Sequence, residues 1–379
     1  MRKSKTVLGD ICKITMGQSP DSSTYHTTNI GLPFYQGNAD FGELYPKTRI
    51  WCSRPQKIAE PENILLSVRA PIGALNIAKE KCCIGRGLAA IAPHKNFCFN
   101  KYLFYILKYK HNELNAKGSG STFKAINKSI LNDLPIDIYP IDRQKKIAAI
   151  LDKATELIAL RKQQLEKLDL MVKSRFIEMF GNSVINKWKK ITIEECCSKI
   201  VDCPHSTPLY CNDGYYPCIR TSDLVNGYLT LSSSTKYVNN IEYIKRIQRY
   251  KPTFGDIIYS REGERFGIAA IIPKELFVCL GQRIMLFSPQ KSIVTSEYLC
   301  GVLNSNIVYE QAKNSVGGAT SPHVNMKDIK LFTVPYPPLS LQKEFTTFIK
   351  QVDKTKSTLQ QSLEKLELNY KALMQTYFG

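Results

Sequence analysis

The sequence predicts an α+β protein that is one unit written twice, with two globular bodies separated by two long antiparallel helices forming a coiled coil. Three observations predict it. A block of near-identical residues recurs at constant spacing, each copy opens with short β-type runs broken by Gly, Pro, Asn and Ser, and each copy closes on a long apolar stripe of helical period.

The recurrence is clearest where each copy ends. Leu165-Glu166-Lys167-Leu168-Asp169-Leu170 returns as Leu363-Glu364-Lys365-Leu366-Glu367-Leu368, and Phe180-Gly181 as Phe378-Gly379, each 198 positions on. The same spacing relates Gln144-Lys145 to Gln342-Lys343, Pro140 to Pro338 and Asn127 to Asn325. Farther upstream it becomes 196, relating residues 85–93 to 281–289 and Tyr102-Leu103 to Tyr298-Leu299. The copies are alike where they close and unlike where they open, as expected of a shared scaffold bearing two different recognition faces or of drift after duplication.

Within the bodies, strands are expected over 64–68, 88–91, 257–260 and 284–287, and short helices over 101–109 and 297–302. Pro-containing stretches, 134–140 and 334–338, end each body. Asp142 or Ser340 is then expected to cap the helix that follows.

Those helices carry their apolar residues at alternating steps of four and three. Ile147, Leu151, Leu165 and Leu168 mark the seam of the first, and Ile349, Leu363 and Leu366 that of the second. Neither run contains Pro, or Gly before its last residue, so each can extend for about 38 residues, roughly 57 Å. Two such stripes in one chain can bury each other, and the intervening body lets the second helix return antiparallel. Packing of each helix on its own body is the alternative.

The formal charge of +19 attracts polyanions, and without a basic amphipathic terminus or a lipidation motif nucleic acid is the expected partner. Twelve cysteines without a C-x-x-C pair read as reduced core thiols, with no zinc site. No stretch of about 18 uncharged apolar residues occurs, so no membrane is expected and the location is cytoplasmic.

A DNA-modifying enzyme would need motifs that are missing. Pro335-Tyr336-Pro337-Pro338 lacks both the Asn/Asp and the closing aromatic of an amino-methyltransferase tetrapeptide. Gly118-Ser119-Gly120 begins like a dinucleotide loop, but Phe123 holds the third glycine's place. No G-x-x-x-x-G-K-[ST] is present and the five histidines are scattered, so no catalytic or metal-binding residue is assigned.

Reading DNA calls for Arg, Gln, Asn and Ser at base edges and Lys at phosphates, all on loops. Copy one supplies Gln18, Ser19, Gln36, Asn38, Arg69, Arg86, Lys117, Ser119 and Lys124. Copy two supplies Arg220, Ser222, Arg261, Arg265, Arg283, Ser321 and His323.

The two-fold repeat, the Gln-Lys helix start and the terminal L-E-K-L…F-G helices together resemble the specificity subunit of type I restriction-modification systems. Ser260-Arg261-Glu262-Gly263 and the string from Ile219 to Leu224 are similar to that family's recurring patterns, whereas copy one departs at both places. The resemblance implies target-recognition domains at 1–140 and 182–338 and spacer helices at 141–181 and 339–379. It also implies a non-catalytic subunit that reads a bipartite double-stranded DNA target and sets its gap. Two modification (methyltransferase) subunits and the restriction (motor-nuclease) subunits would be its partners. This chain would bind no cofactor, leaving S-adenosylmethionine, ATP and magnesium to those partners. A stand-alone DNA-binding or phage-defence adaptor and a single-chain enzyme with cryptic catalytic residues are the alternatives.

Overall fold

The computed structural model describes residues 3–118, 124–181, 187–263, 265–315 and 323–379. They fall into two compact units: Met1–Lys162 with Gln361–Gly379, and Gln163–Gln360. Packing thus groups the chain differently from a division into bodies and spacers, because each unit takes one body together with segments of both long helices.

In unit 1 the strands that matter are β1 (Ser4–Val7), β2 (Cys12–Met16), β3 (Leu32–Tyr35), β4 (Ile64–Ser67), β5 (Leu75–Ile77), β6 (Cys82–Ile84), β7 (Leu88–Pro93) and β8 (Pro135–Ile138). An antiparallel sheet runs in the order β2-β7-β4-β5. The parallel pair β3 and β6 lies at the heart of a second, five-stranded sheet. The runs through Ile64-Leu65-Leu66 and Leu88-Ala89-Ala90-Ile91 are apolar at every position because both faces are buried.

Unit 2 has counterparts: β9 (Lys190–Thr192), β10 (Cys197–Asp202), β11 (Tyr216–Ile219), β12 (Ile257–Ser260), β13 (Ala269–Ile271), β14 (Cys279–Leu280), β15 (Ile284–Pro289) and β16 (Thr333–Pro335). Its main sheet has the order β10-β15-β12-β13, and β11 again runs parallel to β14.

The Pro-containing stretches do more than end the bodies. As β8 and β16 they pair antiparallel with β1 and β9, so each body is closed by its own first and last strands. A buried tyrosine on the neighbouring helix pins each closing strand. Tyr102, in Asn100–Tyr109, donates to Asp137 O at 3.0 Å, and Tyr298, in Ser296–Leu303, donates to Pro335 O at 2.7 Å.

The long helices span Ile141–Phe180 and Leu339–Phe378, 40 residues each and about 60 Å. They start earlier than the Asp142 and Ser340 caps would place them. Pro140 and Pro338 occupy the cap, their carbonyls accepting from Gln144 N at 3.1 Å and Gln342 N at 3.2 Å. Proline has no N–H to leave unpaired there, so Asp142 and Ser340 fall inside the first turn.

The repeated glutamine acts as a buried staple. Gln144 donates to Phe97 O and Tyr139 O at 2.9 and 2.7 Å and accepts from Phe99 N at 2.8 Å. Gln342 makes the matching bonds to Ile293 O, Pro337 O and Thr295 N.

Seam residues Ile147, Leu151 and Leu363 are buried, and Leu165, Leu168, Ile349 and Leu366 are half-buried. In unit 1, Ile147, Ala148 and Leu151 from one helix and Met374 from the other enter the core of the body. In unit 2, Phe176, Phe180 and Phe345 gather around Tyr298 with centroids 4.8 to 6.3 Å from it or 5.4 to 5.6 Å from each other. The helix segments of unit 2 are antiparallel, with Asp169 on Lys356 at 2.6 Å and Arg175 on Glu344 at 2.8 Å. Lys162 meets Glu367 at 2.9 Å in unit 1.

All twelve cysteines are free, and ten are buried. Burial pushes the Cys82 and Cys98 thiols up to about 12. Among the described residues no helix is long and apolar enough to cross a membrane, and no cluster of His, Cys, Asp and Glu could hold a metal ion.

Candidate DNA interface

Four chain segments converge at one corner of each body. In unit 1 they are the exit of β2, the exit of β3, the turn from β6 to β7 and the exit of β4. Gln18 N donates to Ile84 O at 3.0 Å, Gly85 N to Tyr35 O at 2.9 Å and Gly87 N to Gln36 O at 3.2 Å. The glycines allow this crowding: a Cβ on Gly17 would lie 2.1 Å from Gly85 O, and one on Gly87 2.5 Å from Gln36 O.

The side chains follow the backbone. Ser19 Oγ donates to Gln36 Oε1 at 3.1 Å and accepts from Arg86 N at 3.2 Å, bringing Gln18, Ser19, Gln36 and Arg86 together. Val68 N donates to Gly87 O at 2.9 Å, and Arg69 bridges Ala125 beside Lys124, which adds two exposed cations to the same corner.

Asn38 lies half-buried in the 3-10 turn Asn38–Asp40. Lys117 does not offer a free charge, because it pairs with Glu113 at 2.8 Å. Ser119 and Ser321 lie outside the described residues.

Asp40 escaped notice in the sequence. Its carboxylate is buried, accepts from Gln36 N at 2.7 Å and pairs with Arg49, so it sets the turn that presents Gln36. Asp223 does the same under Arg220, accepting from its N–H at 2.8 Å and from Thr235 Oγ1 at 3.1 Å. The paired aspartates at the ends of β3 and β11 were the available signal.

Unit 2 builds its corner on the same backbone frame. Glu262 bridges His323 where Arg69 bridges Ala125, and Arg261 N donates to Arg283 O where Val68 N donates to Gly87 O. The side chains differ. Asp202 pairs with His205 at 3.3 Å and with Arg261 at 3.2 Å, Arg261 with Glu262 at 3.4 Å, and Glu262 with His323 at 2.9 Å.

Arg261, proposed from sequence as a DNA-binding residue, is thus buried within this network rather than exposed like Arg69 and Arg86 of unit 1. Its side chain is 5% exposed, and its two terminal nitrogens face the Asp202 and Glu262 carboxylates and the Val324 carbonyl. Arg220 donates to Ser234 O at 2.6 Å and Arg265 to Leu224 O at 2.6 Å, so both are tethered at their tips. Ser222 is exposed on the turn Thr221–Asp223. Arg283 is exposed and held at φ 67°, in the left-handed region, where unit 1 has Gly87.

Two corners of shared frame and unlike side chains give context to the comparisons with known proteins. The family model described as the type I restriction modification DNA specificity domain matches twice, over residues 3–170 and 185–368. The chain belongs to this family. A Methanocaldococcus jannaschii protein described as the MjaX type I restriction enzyme specificity subunit is 43% identical over 157 residues, 41% of this chain and 37% of that one. The chain thus covers little more than a third of that relative's length. The MjaIX specificity subunit of the same organism is 27% identical over 318 residues, 76% of this chain and 69% of that one. Among solved structures, the S subunit of a type I restriction-modification system from M. genitalium is similar over 100% of this chain and 96% of its own. The TM-score is 0.59 at 15% identity, a likeness of fold.

Proposed function

We propose that the chain is the non-catalytic DNA-reading subunit of a cytoplasmic type I restriction-modification complex. Each body reads one half of a bipartite double-stranded target, and the paired helices set the gap and dock two methyltransferase subunits. The restriction motor-nuclease subunits join that assembly. S-adenosylmethionine, ATP and magnesium act on the partner subunits.

One observation carries this reading: the loop corner recurs in both units on one hydrogen-bond frame while its side chains change. Unit 1 presents Gln18, Gln36, Arg69, Arg86 and Lys124, a set suited to purine acceptors and phosphates. Unit 2 adds Glu262 and His323 to Arg283, and a carboxylate accepts from the cytosine amino group. The antiparallel ion pairs of unit 2 and the unbroken 40-residue helices support the ruler.

Sequencing of methylated adenines in a host carrying the whole system tests both parts. Removing a matched heptad from each long helix keeps the seam in register and shortens it by about 10 Å, roughly three base pairs of rise. The gap in the modified motif should shrink while both half-sites persist. Altered half-sites with an unchanged gap would defeat the ruler, and a motif that survives deletion of the gene would defeat DNA reading.

A further inference from the structure

Away from the loop corner, unit 1 carries an open cleft of about 580 Å³ along β2, the edge strand of its main sheet. Lys13, Lys57 and Lys128 line it with Asn132, and no carboxylate does. Gly9 forms its floor, where a Cβ would come within 3.1 Å of the Asn132 side chain.

All three lysines are exposed, and no side-chain hydrogen bond or ion pair of theirs occurs among the described residues. Several other lysines of the unit are paired: Lys101 with Asp152, Lys110 and Lys117 with a shared Glu113, and Lys81 with Glu60. Three uncompensated ammonium groups around one cleft repel one another until an anion sits among them.

Backbone hydrogen bonds join the cleft to the reading corner. Lys57 O accepts from Ile84 N at 2.9 Å, and Ile84 O accepts from Gln18 N at 3.0 Å. Along β2, Lys13 precedes Gln18 by roughly 16 Å of extended chain, the rise of about five base pairs. Unit 2 does not repeat the cluster, since Met326 takes the place of Lys128 at the 198-residue spacing.

We propose that this cleft grips the phosphates of the duplex flanking the half-site read by unit 1, adding affinity without adding base choice. The inference rests on the DNA-reading function proposed above.

The test replaces Lys13, Lys57 and Lys128 together by Gln in the full chain. Binding to a mixed-sequence duplex and to a duplex carrying the methylated motif is then measured from about 50 to 200 mM salt. The log–log salt slope should fall by about 2 to 3, at roughly 0.9 per lost phosphate contact, with both duplexes weakened by the same factor of ten or more at low salt. Lys79→Gln, Lys95→Gln and Lys291→Gln together, a charge-matched control on other exposed lysines, should leave the slope within one contact of wild type.

An unchanged slope in the cleft variant, with motif preference retained, would overturn the proposal alone. So would self-association with intact DNA binding, which would make the lysines guards of an exposed strand edge. Loss of a co-purified partner chain with intact DNA binding would overturn it as well. A wild-type chain that prefers no duplex would sink the DNA-reading function itself, and the cleft's role with it.

Discussion

The two bodies share a backbone frame and differ in how they treat charge at its corner. Unit 1 leaves Arg69, Arg86 and Lys124 exposed, whereas unit 2 folds Arg261 between Asp202 and Glu262 and closes the set with two histidines. One frame can therefore carry a charge as an exposed cation or as an internal strut. Counting arginines on matched loops does not distinguish the two.

The largest expected contrast follows from that difference. Arg261→Ala leaves two carboxylates facing each other without their cation and should cost unit 2 about 3 kcal/mol. Arg69→Ala should change stability by no more than about 0.5 kcal/mol, yet weaken DNA binding tenfold or more. Thermal unfolding and DNA titration of both variants decide the matter. An Arg261→Ala chain that melts normally but binds DNA poorly would return Arg261 to the readers.

A second pair of substitutions asks where the bodies are the same. Gln144→Ala and Gln342→Ala each strand two carbonyls and one N–H, which should cost about 1 to 3 kcal/mol apiece. Gln144 makes the shorter bonds and should cost more. A loss at only one site in denaturant melts would break the equivalence of the two helix starts.

The smallest effect concerns the openings of the bodies. Thr192 caps the turn Ile193–Cys196, and its backbone N–H and hydroxyl hold the Glu195 carboxyl below the usual carboxylate range. In unit 1, Val7 stands at the cap and forms no such bond. A depressed folded value means stability that is present above the unfolded value of about 4.3 and lost as pH falls through the folded one. Unit 2 melting should therefore lose a small contribution on acidification that Glu195→Gln abolishes. A variant with the wild-type slope would refute it.

Much of this fold was legible because periodicity survives where side chains face one fixed neighbour. The two long helices, the strands at 64 and 257 and the repeat at Gln144 and Gln342 all lie in such places. What the sequence hid was geometry between distant segments. Nothing local marks Arg261 as buried, since its partner Asp202 is 59 residues away, and nothing in Pro135 announces a strand until β1 lies beside it. The corner's location could be read from loop polarity, but which polar groups stay free depends on contacts that only folding makes.

The pairing of first strand with last strand in each body has one more consequence. Chain that enters and leaves at adjacent points can be cut out and replaced without moving what lies on either side. A body closed by β1 and β8, or by β9 and β16, is in that sense a cassette. On the proposed reading, recombination at its repeated borders would exchange one half-site for another in a single step while the helices stayed as they were.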